Sequence, residues 1–196
     1  MLQIRTLALG LYQTNCYLLW SDDNAQCLVI DPGYEAQTVL SYARSLGKQI
    51  CAVLLTHGHF DHVGAVKEIA QETGCAVYLK TEDTAMPEQM TAGKLFYTHA
   101  LSDGDVLALA GLSVCVMHTP GHTPGSVCFL IDNTIFSGDT LFACSCGRTD
   151  LPGGCWETLT RSLARLRDLN APYDVYPGHG PCTTLDEEKQ NNPYLR

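Results

Sequence analysis

Six consecutive residues of this sequence carry three imidazoles and one carboxylate. They follow the apolar run 50–55 and one threonine, and read His57-Gly58-His59-Phe60-Asp61-His62. Imidazole and carboxylate are ligands for first-row cations such as zinc, manganese or iron. His57 and His59 are two apart and point the same way in an extended segment, whereas the adjacent Asp61 and His62 must diverge. The segment therefore predicts half of a site for two metal ions.

Three later segments share one pattern, in which an apolar run is followed by a glycine- or proline-bounded turn and then by a potential ligand. The segments are His118-Thr119-Pro120-Gly121-His122, Ser137-Gly138-Asp139 and Tyr176-Pro177-Gly178-His179. Glycine beside the ligand allows a sharp turn and lets the ligand reach a crowded centre. Because an α/β scaffold builds a rigid polar site from several strand ends, we expect these segments to meet residues 57–62.

The elements that must position these residues change in character along the chain. The first part predicts, in order, strands over 2–9, 16–20 and 27–30, a helix over 35–46, a strand over 50–56, a helix over 63–73 and a strand over 76–79. A long loop is predicted over 84–104. The second part is mainly β, with strands over 106–110, 112–118, 126–131, 134–137 and 174–176 and a helix over 158–169. This order favours an α/β fold with two sheets face to face and helices outside.

Length and charge narrow the classes of function. The 196 residues fit a single domain over 1–196. A formal net charge of −9 argues against a nucleic-acid partner, which would need a basic patch. The N-terminus lacks the pattern of a signal peptide, and no apolar stretch approaches the about 18 residues that span a bilayer. We therefore expect a cytoplasmic protein with a small-molecule substrate and no membrane partner.

The sequence resembles the metallo-β-lactamase superfamily, and the resemblance covers essentially the whole chain. It is carried by Thr56-His57-Gly58-His59-Phe60-Asp61-His62, His122, Asp139 and His179. The glyoxalase II-like (hydroxyacylglutathione hydrolase-like) branch is the most similar, through Gly138-Asp139-Thr140-Leu141-Phe142 and Cys146-Gly147-Arg148. The resemblance implies an αββα four-layer sandwich with metals at one edge. It also implies the short form of the branch, without the C-terminal helical domain that contributes to glutathione binding in the longer enzymes.

The same resemblance implies a ligand set for two divalent metal ions, with zinc as the first expectation and iron or manganese as alternatives. The first ion would be held by His57, His59 and His122, the second by Asp61, His62 and His179, and both by a bridging Asp139. As carboxylate ligands of these ions, Asp61 and Asp139 are also expected to be catalytic. A hydroxide shared between two cations is a nucleophile at neutral pH, and a cation can polarise a substrate carbonyl.

The predicted function is hydrolysis of a small acyl thioester, such as S-lactoylglutathione. An alternative is a persulfide dioxygenase-like enzyme with one iron at His57, His122 and Asp139, because Gly147-Arg148-Thr149-Asp150 is also similar to that group. Hydrolysis of a lactone, β-lactam or phosphodiester on the same fold is a further alternative. A non-catalytic metal-binding protein is the last one, and open coordination positions count against it.

Three residues near the predicted ligands have two interpretations each. Arg148 either binds a substrate carboxylate through its planar fork or pairs with Asp150. Asp31 and Thr56 flank the ligand segment. They either hydrogen-bond the ligand imidazoles or serve only as a turn residue and a strand end.

Overall fold

Two six-stranded β-sheets lie face to face in the computed structural model, which describes residues 1–195. The first sheet has the order β1-β2-β3-β4-β5-β6. Its strands are Leu2–Leu9, Thr14–Ser21, Gln26–Ile30, Gln49–Leu54, Ala76–Leu79 and His99–Ala100. β1, β2 and β3 pair antiparallel, and β3 to β6 pair parallel.

The second sheet has the order β14-β13-β10-β9-β8-β7. In chain order its strands are Val106–Leu109 (β7), Leu112–His118 (β8), Val127–Ile131 (β9), Thr134–Gly138 (β10), Asp174–Pro177 (β13) and Thr183–Thr184 (β14). All neighbours pair antiparallel except β10 and β13, which are parallel. A separate hairpin is formed by Leu141–Phe142 (β11) and Ser145–Cys146 (β12).

Helices cover the outer face of each sheet. They are Ala36–Ser45 (α1), Phe60–Val63 (α2), Val66–Thr73 (α3), Trp156–Arg167 (α4) and Leu185–Asn191 (α5), with a 3₁₀ helix at Thr81–Ala85. Within residues 1–195, none of these helices has the length and apolar character needed to cross a membrane.

Alternation along the strands supplies three hydrophobic cores. Leu19 and Phe129 face the core between the sheets, whereas their neighbours Leu18 and Cys128 face the helix layers. One outer core packs α1 and α3 on the first sheet, and the other packs α4 and α5 on the second. Complete burial of each large side chain stabilises the fold by about 1.5–3 kcal/mol. The predicted αββα four-layer arrangement is confirmed.

The helix predicted over 63–73 is wrong in its boundary, because the chain forms two helices there. Phe60–Val63 is a short helix of its own, so Asp61 and His62 lie on a helix and not in a loop. The break follows from a tertiary contact. The Ala65 amide donates to the Pro32 carbonyl at 3.0 Å, and a Cβ on Gly64 would lie 2.3 Å from the Gly33 carbonyl oxygen. The chain must therefore bend where it passes the turn at residues 32–33.

Several elements lie where no element was predicted. The stretch 84–104 contains the end of the 3₁₀ helix and the short edge strand β6. β11, β12, β14 and α5 were also not predicted. In α5 the carboxylate of the buried Glu188 accepts from the Cys144 amide at 2.8 Å, and just after the helix Asn192 Nδ2 donates to the Ser145 carbonyl at 2.9 Å. These bonds attach the β11–β12 hairpin to the C-terminal helix.

Strand ends bring the predicted ligand segments to one edge of the sandwich. β10 and β13 run parallel, so the residues after them, Asp139 and His179, emerge side by side. The Gly178 amide donates to the Gly138 carbonyl at 2.8 Å and fixes that spacing. Across the sandwich, the Val127 amide donates to the Thr56 carbonyl at 2.8 Å, which ties the end of the β4 segment to the second sheet.

Candidate metal centre

All seven residues of the predicted ligand set meet at this edge. The atoms that could bind a metal ion lie within 4.8 Å of one another in two groups, which match the predicted division. The groups are His57–His59–His122 and Asp61–His62–His179. We call these the three-histidine cluster and the mixed cluster. Asp31, His57 and His62 form a third group. His57, His59, His62 and His122 are buried, and His179 is half-buried.

Asp139 lies between the two clusters. Its Oδ2 is 3.5 Å from His122 Nε2 and 3.7 Å from His179 Nε2, and its Oδ1 is 3.5 Å from His62 Nε2. Asp61 Oδ2 belongs to the mixed cluster, 3.2 Å from His179 Nε2 and 3.7 Å from His62 Nε2. One carboxylate therefore faces both groups of imidazoles, and the other faces only one.

Hydrogen bonds around Asp31 orient two of the imidazoles. Thr56 Oγ1 donates its only proton to Asp31 Oδ2 at 2.5 Å, so at 3.1 Å it can only accept from His57 Nδ1. His62 Nδ1 donates to the same Asp31 oxygen at 2.9 Å. With the hydrogen of each neutral ring on Nδ1, Nε2 of His57 and Nε2 of His62 face the space between the ligands, and His62 Nε2 offers its lone pair there once its proton has left.

Backbone carbonyls orient two further imidazoles in the same way. His122 Nδ1 donates to the Arg148 carbonyl at 2.8 Å, and His179 Nδ1 donates to the Tyr12 carbonyl at 3.1 Å. Their Nε2 atoms therefore also face the centre, and each is an acceptor when its ring is neutral. Asp31 and Thr56, which the sequence left with two interpretations, thus hydrogen-bond imidazoles of the ligand set.

The donor atoms fit bound cations. His59 Nδ1 lies 2.9 Å from His122 Nε2, and the His122 ring carries its proton on Nδ1. Nε2 of His57 and Oδ1 of Asp139 are buried and have no hydrogen-bond partner in the described part of the chain. Buried acceptors without partners cost about 1–3 kcal/mol each. Divalent cations among these nitrogen and oxygen donors would satisfy them, and nitrogen–oxygen sets suit zinc, iron and manganese.

The two clusters differ in how they hold protons. Burial, reinforced by the neighbouring imidazoles, lowers the pKa of His57 well below its usual value and that of His59 to about 4. Burial also disfavours the charged form of His62, but the carboxylates of Asp139 and Asp31 outweigh it and raise its pKa to about 9. Burial opposes ionisation of Asp61, yet its hydrogen bond with His179 lowers its pKa to about 2. Without a cation, protons on imidazole therefore balance the carboxylates of the mixed cluster.

Glycines are required where the ligand segments turn. A Cβ on Gly178 would lie 2.2 Å from Asp139 Oδ1 and 2.7 Å from His62 Cε1. At Gly138 the φ angle is +50°, and a Cβ would lie 2.4 Å from Thr56 Oγ1. Any larger residue at these positions would displace a member of the centre, as the glycine pattern in the sequence predicted.

A cavity of about 570 Å³ opens over the centre. Its wall is largely apolar and comprises Tyr12, Phe60, Met90, Phe142 and Leu151, with Ser145, Cys146 and Arg148 at its polar side. Arg148 is exposed, and its guanidinium makes a two-pronged pair with Asp150 at 2.7 and 2.6 Å. The structure therefore shows the pairing interpretation of Arg148, at a position that also borders the cavity.

Sequence reasoning missed three contributors to this site. The Tyr12 and Arg148 carbonyls carry no signal in residue type, because every residue has a carbonyl. Asp83 is fully buried in the 3₁₀ helix, and its carboxylate accepts from the Gly58 and Gly125 amides. An aspartate near the start of a helical turn usually satisfies local amides, so its position alone gave no reason to connect it with the histidines.

Comparisons with known proteins agree with this geometry. A family model described as "Metallo-beta-lactamase superfamily" matches residues 9–179. Hydroxyacylglutathione hydrolase GloC of Haemophilus influenzae is 35% identical over 99% of this chain and 98% of its own. The crystal structure of BLEG-1 B3 metallo-beta-lactamase has a TM-score of 0.89 and 36% identity, covering 98% of this chain and 99% of its own. That of TTHA1623 in a di-iron-bound form has a TM-score of 0.84 and 38% identity, covering 97% and 100%.

Proposed function

Because the chain belongs to the metallo-beta-lactamase superfamily of metallo-hydrolases, we propose that it is a binuclear hydrolase of small acyl thioesters. The position of Asp139 between the three-histidine cluster and the mixed cluster carries this proposal. One shared carboxylate and three further donors for each ion leave coordination positions open, as catalytic sites require. A relative that aligns over 98% of its own length and is named as a hydroxyacylglutathione hydrolase supports a thioester as the substrate.

The ligand set for the proposal is the seven residues named above. His57, His59 and His122 would hold one ion, and Asp61, His62 and His179 the other, with Asp139 shared. When bound, two divalent cations supply Lewis acidity, which lowers the pKa of a water molecule and polarises a carbonyl group. We propose zinc, with iron as the alternative because TTHA1623 is described in a di-iron-bound form.

The chain's own groups would position the substrate. The apolar wall around Phe60, Met90 and Phe142 is suited to the acyl group, and the guanidinium of Arg148 at the cavity border is suited to a carboxylate of the thiol carrier. A thiolate leaves with little need for protonation. The proposal therefore requires no general acid beyond the residues of the centre.

Thiol release from S-lactoylglutathione, catalysed by protein loaded with zinc or iron, tests the proposal. We expect hydrolysis, and a loss of at least about 100-fold in kcat/KM for Asp139→Asn, because one oxygen and one charge leave the shared position. Asp132→Asn is the matched control, because Asp132 lies in an exposed turn away from the centre and should retain activity.

Other substrates separate the alternatives. Oxygen consumption with glutathione persulfide at one iron per chain, with no thioester cleavage, would replace the proposal by a dioxygenase. If the protein hydrolyses a β-lactam or a lactone but no thioester, the proposed metal centre stands and the proposed substrate class is wrong. A metal-loaded protein that cleaves neither S-lactoylglutathione nor a simpler acyl thioester contradicts the proposed function.

A further inference from the structure

Asp83 joins the two loops that carry the three-histidine cluster, although it is not one of the seven ligand-set residues. Its Oδ2 accepts from the Gly58 amide at 2.7 Å and from Thr123 Oγ1 at 2.9 Å, and its Oδ1 accepts from the Gly125 amide at 2.6 Å. Gly58 lies between His57 and His59, and Thr123 follows His122. The side chain is completely buried. One carboxylate therefore connects the His57–His59 segment to the His122 segment.

The two loops are shaped to receive this carboxylate. A Cβ on Gly125 would lie 2.7 Å from Asp83 Cγ, and a Cβ on Gly58 would lie 3.1 Å from Asp83 Cβ and 2.8 Å from Leu95 Cδ1. Glycine at both positions lets the backbone amides approach the side chain closely. Gly58 and Gly125 therefore serve this junction, and only residues without a side chain allow it.

The chemistry of the junction requires a carboxylate. Both oxygens act only as acceptors, and all three donors are an N–H or an O–H. An asparagine has one acceptor oxygen, so its NH₂ group would face a donor from one loop or the other. A buried donor left without an acceptor is unfavourable, and the two loops would separate to relieve it.

We propose that Asp83 is a positioning residue that sets the distance of the His57–His59 pair from His122 and thereby the ion affinity of the three-histidine cluster. The proposal rests on the proposed function in so far as the cluster binds metal. None of the three hydrogen bonds described for the Asp83 side chain reaches the mixed cluster, so the two clusters should respond differently to its loss. Replacing a residue that holds metal ligands in position typically changes the metal affinity about 10- to 100-fold.

Zinc affinity measured in two single-cluster backgrounds tests the proposal. His179→Ala leaves the three-histidine cluster intact, and His122→Ala leaves the mixed cluster intact. Competition with a chromophoric chelator should show that Asp83→Asn weakens zinc binding about 10- to 100-fold in the first background and changes it little in the second. Equal weakening in both backgrounds, or none in the first, overturns the proposal.

A matched control separates positioning from general loss of stability. Glu188 is as buried as Asp83 and accepts from the Cys144 amide, Thr183 Oγ1 and Asn192 Nδ2, none of which belongs to either cluster. Glu188→Gln should lower the unfolding midpoint of the metal-free protein but leave zinc affinity in the His179→Ala background unchanged. An equal loss of affinity in this control would show that Asp83 acts only through stability and would overturn the proposal.

A milder variant keeps the test decisive if Asp83→Asn does not fold. Thr123→Val removes one donor to Asp83 and leaves both backbone amides, so zinc binding in the His179→Ala background should weaken by less, yet measurably. No change in this variant contradicts the proposal. Wild-type protein that binds zinc but cleaves no thioester would defeat the proposed function alone, because these affinity measurements do not depend on activity.

Discussion

Replacing Asp31 with asparagine should weaken the mixed cluster through a change in one tautomer. Asp31 is buried and accepts from the Thr56 amide through Oδ1 at 2.8 Å, and from Thr56 Oγ1 and His62 Nδ1 through Oδ2. If the asparagine oxygen takes the Oδ1 position, its NH₂ group faces His62. The ring must then accept at Nδ1 and carry its proton on Nε2, where the ion needs a lone pair.

The opposite orientation of the asparagine is no better. With its oxygen at the Oδ2 position, the NH₂ group faces the Thr56 amide, and one buried donor stays without an acceptor at a cost of about 1–3 kcal/mol. Since each 1.4 kcal/mol changes an affinity about tenfold, we expect zinc binding in the His122→Ala background to weaken by about 10- to 100-fold. The His179→Ala background should show a smaller loss, because the hydrogen bonding between His57 and Asp31 runs through the Thr56 hydroxyl.

Chelator competition on the two backgrounds measures these affinities, and the result should mirror that for Asp83→Asn. The metal-free Asp31→Asn protein should be less stable in chemical denaturation by the same about 1–3 kcal/mol. A variant that loses this stability but binds zinc normally in the His122→Ala background would refute the link between the carboxylate, the tautomer and the ion. A larger loss in the His179→Ala background would refute it too.

Three further predictions concern protons, packing and substrate. At neutral pH an ion entering the mixed cluster must displace the proton that a pKa of about 9 places on His62, so its affinity should rise as pH rises toward that value. Binding at His59, whose pKa is about 4, should be independent of pH near neutrality. Calorimetry in buffers of different ionisation enthalpy counts these protons, and equal release at both clusters would contradict the assignment. Gly178→Ala should destabilise the protein by about 1–3 kcal/mol and lower its zinc content, because the new methyl group would lie 2.2 Å from Asp139 Oδ1. Denaturation and elemental analysis check this. On the proposed function, Arg148→Gln should raise KM about tenfold for a thioester whose carrier bears a carboxylate, with kcat unchanged and neutral thioesters unaffected. Equal effects on both substrates would leave Arg148 as only the partner of Asp150.

The meeting of the ligand segments was predictable because it depends on local patterns. Each segment couples a strand to a glycine turn and a ligand, and parallel neighbours such as β10 and β13 end at the same edge of a sheet. The four layers were predictable for a similar reason, since alternating apolar residues in the strands and helical spacing in 35–46 indicate which faces are buried.

Tertiary contacts explain what the sequence did not predict. The break between α2 and α3 depends on the Pro32 carbonyl, which is more than 30 residues away from Ala65. The α5 segment reads Leu-Asp-Glu-Glu-Lys-Gln-Asn and has a single apolar residue, so hydrophobic periodicity could not detect it. Glu188 in this helix and Asn192 just after it are buried and held by hydrogen bonds, and Asp83 is buried in the same way. Polar side chains that are buried by their partners leave no pattern in the sequence.

The attachment of the β11–β12 hairpin to α5 gives one part of the cavity wall a support of its own. The centre is oriented by Asp31, Thr56 and two backbone carbonyls, whereas the hairpin that carries Phe142 and Ser145 into the cavity wall is fastened from outside by Glu188 and Asn192. Among the described side-chain hydrogen bonds of Glu188 and Asn192, none reaches a ligand-set residue. We therefore expect substitutions at Glu188 or Asn192 to change the cavity wall more than the ligand geometry. Substitutions there are therefore a way to change the substrate preference without replacing any residue of the ligand set.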